Sequence, residues 1–170
     1  HDIPPERIVT IPRGVDLEAF DPAAVAQTRI DEVRTRWGLK DDTRLTLFLP
    51  GRLTEWKGQL LAIEALGLLA PEERDGLVLV LAGDAQGRDA YEGRIYDTIR
   101  KLQLDGQVLV VGHETDMPAA YLASDIVMAP STRPEAFGRV AAEASAMARP
   151  VIVSDHGGGR ETVLDGETGA

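Results

Sequence analysis

Five short apolar runs, at residues 45–49, 77–82, 107–111, 126–129 and 151–153, constrain the fold of this chain more than any other feature. They are rich in leucine or β-branched residues with little polar alternation, the pattern of strands covered on both faces. Helix-length stretches separate them, at 58–69, 89–102, 117–123 and 138–147. In the first, Leu61, Ala65, Leu68 and Leu69 share a stripe that Ile63 and Leu66 widen; in the second, Ile95, Ile99 and Leu102 oppose a charged face. Strands alternating with helices require parallel crossovers, so the expected fold class is α/β, a Rossmann-like parallel sheet flanked by helices. Ligands of such sheets bind beyond the carboxyl ends of the strands. Gly51 and Arg52, Gly83 and Asp84, Gly112 and His113, Pro130 and Ser131, and residues 154–159 follow the five runs. Turn chemistry alone also accounts for residues of these types.

A length of 170 residues suits one domain. The hydrophobic share of 44% and the charged share of 27% exclude a disordered or fibrous chain. Eighteen Lys and Arg against 28 Asp and Glu leave a net charge of -10, which disfavours broad adhesion to nucleic acid or to an anionic membrane but permits a local basic pocket. With no cysteine, disulfides, thiolate zinc sites and a cysteine nucleophile are excluded. His1, His113 and His156 would bind a metal only if folding gathered them with carboxylates. The longest apolar run, 77–82, is strand-sized and far below the ~20 residues of a membrane helix. The start carries no secretory signal pattern, so a soluble, cytoplasmic setting is expected. A start without methionine and a turn-like end at 166–170 suggest a fragment of a longer protein.

Three clusters carry candidate chemistry. Gly51-Arg52-Leu53-Thr54-Glu55-Trp56-Lys57-Gly58 lies between a buried strand and a helix, and its Arg and Lys are spaced to reach one diphosphate. It is neither a Walker loop nor a GxGxxG turn. Solvated surface charges are the alternative. The second cluster runs from Pro134 to Glu143. Glu143 sits among Val140, Ala141, Ala142 and Ala144, where an unpartnered carboxylate is costly, so it lines a cleft or meets a donor. In a cleft it suits a ribose diol, and Glu135 a second polyol. The free N–H groups near Gly138 and Arg139 suit a phosphate. A helix-dipole role for Glu135 and an ion pair for Glu143 fit equally well. The third cluster, His156-Gly157-Gly158-Gly159-Arg160-Glu161, allows either close backbone approach to a ligand or a flexible turn.

Taken together, these residues resemble the C-terminal, nucleotide-sugar-binding domain of retaining glycosyltransferases of the two-domain GT-B fold, in particular glycosyltransferase family 4. Four stretches carry the likeness: Ile11-Pro12-Arg13-Gly14-Val15-Asp16 with Phe20; 51–58; 130–143; and 150–166 with Gly157, Gly158 and Glu161. The two glutamates, Glu135 and Glu143, with Phe137-Gly138 between them, are the most specific element. Arg13 departs from the Asn often found there.

The resemblance implies that Arg52 and Lys57 neutralise a donor diphosphate and stabilise it as a leaving group. Glu135 would bind donor-sugar hydroxyls, and Arg52, Lys57 and Glu135 form the implied catalytic set. Glu143 would hold the nucleotide ribose, and the backbone of Phe137, Gly138 and Arg139 would lie by the diphosphate and sugar. His113 and Glu114 would border the base. The implied donor is a nucleotide-diphosphate sugar, with neither metal nor other cofactor, and the acceptor is a glycan or a lipid. The implied partner is an N-terminal acceptor domain absent from this sequence, without which the domain would bind donor but transfer little. No nucleic acid partner is implied. Two other readings stand beside it: a noncatalytic nucleotide-binding or scaffold module, and a related GT-B enzyme such as a sugar-nucleotide epimerase. A GT-B phosphorylase would need a pyridoxal phosphate lysine, for which Lys40, Lys57 and Lys101 are poorly suited.

Overall fold

The computed structural model of the chain describes residues 4, 7–9, 11 and 13–170. Its centre is a five-stranded parallel sheet of β1 (Leu45–Pro50), β2 (Leu77–Ala82), β3 (Val108–Gly112), β4 (Ile126–Ala129) and β5 (Val151–Val153). The strand order is β3-β2-β1-β4-β5. The helices are α1 (Gln27–Arg36), α2 (Gln59–Leu68), α3 (Pro71–Arg74), α4 (Asp89–Lys101), α5 (Met117–Leu122), α6 (Arg139–Ala146) and α7 (Gly159–Thr162). The expected class, a Rossmann-like parallel sheet flanked by helices, is the one observed.

Alternation along the strands sorts the core into two layers. Val78, Val80 and Phe48 point to one face, where they meet Val33 of α1, Tyr121 of α5, and Ala141 and Ala144 of α6. Leu79, Leu81 and Leu49 point to the other, against Ala62, Ile63 and Leu66 of α2 and Tyr91, Ile95 and Ile99 of α4. The central strands are therefore apolar on both sides, which is why their runs lack polar alternation. β1 pairs with β2 in register from Leu45 with Leu77 to Pro50 with Ala82. On its other edge Leu47 and Phe48 pair with Ile126 and Val127 of β4. The chain thus grows outward from β1 first one way and then the other. The strand order reverses at β1 and β4, the place where sheets of this class bind ligands at the carboxyl edge.

The expected stripe on α2 is wrong in phase. Leu61 is 48% and Leu68 88% exposed, whereas Gln59, Ala62, Ile63 and Leu66 face the sheet. The segment is apolar nearly all round, so several stripes fit its sequence and only the sheet selects one. On α4, Ile95 and Ile99 are buried as expected, with Tyr91 completing the face; Leu102 follows the helix and packs at its edge. The helix α1 occupies a stretch where no helix is expected. It is mostly polar, but Ile30, Val33 and Trp37 recur at helical spacing, and the Trp37 ring stacks on Phe48 with centroids 5.0 Å apart. Salt bridging of Arg29 to Asp116 at 2.7 Å ties α1 to the start of α5.

Gly93 sits in exposed α4 with open space where a Cβ would project. Gly93→Ala is expected to raise stability by about 0.8–1 kcal/mol in urea unfolding, the propensity difference between the two residues.

Candidate functional site

The site is assembled by loops that touch through bare backbone. Gly58, left-handed at φ 80°, begins α2 against the loop after β4, and a Cβ there would lie 2.0 Å from the Pro130 carbonyl oxygen. The Thr132 N–H donates to the Trp56 carbonyl at 2.8 Å and closes the same junction. On the far side, a Cβ on Gly158 would lie 2.3 Å from the Phe137 carbonyl carbon, and the Gly158 N–H donates to the Glu135 carbonyl at 2.8 Å. Of the two sequence readings of the glycine run, neither anticipates this contact: the glycines let the loop after β5 lie directly on the loop that carries Glu135.

These contacts bring Lys57 and Glu135 together. The Lys57 ammonium donates to Glu135 Oε1 at 2.8 Å, with both side chains largely buried. The Ser131 hydroxyl donates to the same oxygen, and Lys57 Nζ also lies 4.5 Å from the centroid of the Trp56 ring. Among the described residues, Glu135 Oε2 meets no donor and remains able to accept. Burial pushes the Glu135 carboxyl up, but the hydrogen bonds from Lys57 and Ser131 and the charge of Lys57 outweigh it and hold the group below its ordinary value of 4.5. A small cavity beside Glu135 is lined by Ser131, Ser154 and His156, whose Nδ1 is buried without a partner.

Next to this pair, a cleft of about 360 Å³ opens at the carboxyl edge of β1, β2 and β3. Arg52, His113, Glu114, Arg139 and Glu143 line it, together with Tyr121. Gly51 lies on its floor with the aliphatic part of Lys57 packed alongside, so cleft and ion pair adjoin. The Tyr121 hydroxyl donates to Glu143 Oε2 at 2.8 Å, and Arg139 Nε lies 3.3 Å from Oε1. Burial first, then the neighbouring Glu143 charge, pushes the Tyr121 hydroxyl well above its ordinary value, so it stays a donor. Glu143 thus both lines a cleft and meets a donor, and its carboxylate keeps lone pairs for two further hydrogen bonds. No side chain caps the start of α6 at Gly138, which leaves its first N–H groups facing outward.

Two of the residues named by the resemblance make their contacts within the protein. The Glu114 carboxylate is occupied from within the protein: Arg36 reaches it at 2.8 Å, Trp37 Nε1 at 3.3 Å, and the N–H groups of Thr115 and Asp116 at 2.9 Å each. That side chain anchors α1 to the loop after β3, and it borders the cleft with little acceptor capacity to spare. Phe137 is half-buried outside the cleft, its backbone pressed on Gly158. His113 is exposed on the rim. Sequence reasoning missed Tyr121, whose polar tip in an apolar helix is the one available signal, and Ser131, present among the strand-end residues but without a role. Of the first stretch of the resemblance, Pro12 lies outside the described residues, while Phe20 reaches the cleft and packs on Tyr121 with ring centroids 6.2 Å apart. Among the described residues no three His, Asp or Glu side chains converge as metal ligands, and no helix is long and apolar enough to cross a membrane.

The sequence over residues 30–170 matches the model of the family described as glycosyl transferases group 1. The chain belongs to that family. It is 35% identical over 172 aligned residues to a D-inositol 3-phosphate glycosyltransferase of Kineococcus radiotolerans, covering 98% of this chain and 38% of the relative. A glycosyltransferase structure from Rickettsia africae superposes with a TM-score of 0.90 at 33% identity, over 98% of this chain and 43% of that one. The Anabaena protein HepE, solved in complex with UDP and with UDP-glucose, superposes with a TM-score of 0.80 at 31% identity, over 92% of this chain and 41% of that one. The chain spans about two-fifths of the length of these relatives.

Because Glu135 is held below its ordinary value, its pairing stabilises the fold above pH 4.5 and is lost as pH falls through the lower folded value. In Lys57→Met the Glu135 carboxyl is expected to titrate at higher pH by carbon NMR, and the acid limb of the stability curve to move up with it. Gly158→Ala, which must push backbone from backbone, is expected to cost about 1–3 kcal/mol in the same unfolding assay.

Proposed function

We propose that this chain is the donor-binding domain of a retaining GT-B glycosyltransferase, and that its cleft takes a nucleoside diphosphate sugar. The Lys57–Glu135 pair carries the reading: a cation and a carboxylate meet at the switch point of the sheet, beside a cleft that holds Arg52 and Glu143. UDP in the related HepE structure supports a uridine nucleotide as donor.

In this reading Glu143, steadied by Tyr121, accepts hydrogen bonds from the ribose hydroxyls. Arg52 and Lys57 meet the diphosphate together with the uncapped N–H groups of α6. Glu135 accepts from the sugar hydroxyls through Oε2 and orients the sugar; it is not the nucleophile. The bond between the anomeric carbon and the diphosphate oxygen breaks and leaves positive charge on the sugar. The acceptor hydroxyl oxygen forms its bond on the same face, and its proton passes to the departing diphosphate. Fixed cations aimed at the developing negative charge lower the barrier. The acceptor, bound mainly by an N-terminal domain, is a glycan, a lipid or a phosphorylated polyol such as the name of the Kineococcus relative states. No metal or other cofactor takes part.

Isothermal calorimetry with UDP, GDP and ADP tests the reading. UDP is expected to bind, and Arg52→Ala or Lys57→Ala to weaken it by about 1.5–3 kcal/mol. Glu143→Gln is expected to weaken UDP binding more than it changes stability. A folded chain that binds none of the three nucleotides is instead a noncatalytic scaffold.

A further inference from the structure

A second depression, of about 270 Å³, shares Arg52 with the donor cleft. Arg52, Arg88 and Arg133 line it from the loops after β1, β2 and β4, together with Thr54, Glu55 and Trp56. Three guanidinium groups around one hollow are out of keeping with a chain of net charge -10. The one carboxylate present is already engaged, since Glu55 pairs with Arg94 of α4. Among the described residues, Arg52, Arg88 and Arg133 form no salt bridge, and the Arg88 side chain makes one hydrogen bond, to the Ala85 carbonyl at 3.1 Å. The Thr54 hydroxyl is a separate sign: the residue is 6% exposed, and its Oγ1 is buried with no hydrogen-bond partner. Cations without counter-charges beside an unsatisfied buried hydroxyl suit a compact oxyanion better than they suit water. Trp56 adds a flat apolar face of the kind that covers the C–H face of a sugar or polyol ring.

We infer that this hollow binds a phosphate monoester carried on a small hydroxylated molecule, and that Arg88 and Arg133 grip its phosphate. Arg52 lines both sites, so the monoester lies alongside the donor and can contribute to acceptor binding together with the N-terminal domain. The inference rests on the glycosyl-transfer reading for that role, but the binding itself is independent of it. Guanidinium forks present paired donors to phosphate oxygens, which a lysine point charge does not.

Calorimetry on the 170-residue chain, with glucose 6-phosphate, inositol 1-phosphate and inorganic phosphate as probes, each with and without saturating UDP, separates the two sites. At least one sugar or polyol phosphate is expected to bind in the presence of UDP and more tightly than inorganic phosphate. Arg88→Gln and Arg133→Gln are each expected to weaken it about tenfold or more, equivalent to about 1.4 kcal/mol, while changing UDP affinity less than twofold. Four results overturn the inference: monoester binding abolished by UDP, which places the anion in the donor cleft; inorganic phosphate binding as tightly as every monoester; no monoester binding; or binding unchanged in both variants. Loss of UDP binding with monoester binding intact would instead count against the donor reading and leave the second site standing.

Discussion

Everything at the carboxyl edge of the sheet depends on backbone lying directly on backbone. Gly58 rests on Pro130 and Gly158 on Phe137, at separations that leave no room for a Cβ. The strands deliver three loops to one edge, but parallel strands alone do not bring the loop tips into contact. Those two junctions do, and they set where Lys57 and Glu135 meet. A site whose side chains come from separate crossovers needs such support, because an error of one ångström at a loop tip is large against a hydrogen bond.

The ion pair and the cleft divide the work. Lys57 and Glu135 are largely buried and satisfy one another, with Ser131 as a third partner. Glu143 is held from beneath by Tyr121, itself fully buried in the layer that contains Phe48. The core thus reaches the carboxylate of Glu143 in the cleft through a single phenol, and the packing of Trp37, Phe48 and Tyr121 supports the cleft as much as the fold.

The strands were legible because burial on both faces demands continuous apolar runs, and each lies within a residue of its expected bounds. Helix faces were less so. Residues 60–69 are apolar on nearly all sides, with Glu64 the one charge, and a sequence with so little phase cannot say which side meets a sheet. The helix α1 escaped because its apolar residues are few and its attachment rests in part on ion pairs such as Arg29 with Asp116, whose partners stand far apart in sequence. The same holds for the partners of Glu114: Arg36 and Trp37, brought by α1, hold its oxygens from nearly eighty residues away in sequence. The grouping of Arg52, Lys57, Glu135 and Glu143 was legible as a resemblance, and the tyrosine and serine that hold the two carboxylates were not.

A lysine already matched to a carboxylate is a poor general attractor of anions. Whatever draws Lys57 away from Glu135 must replace that contact on both ends, offering negative charge to the ammonium and hydroxyl hydrogens to the carboxylate. A lone inorganic ion supplies only the first, whereas a sugar joined to a diphosphate supplies both. On the proposed reading the ion pair therefore acts as a filter: it disfavours the common salts of its surroundings and yields to a molecule with two different ends.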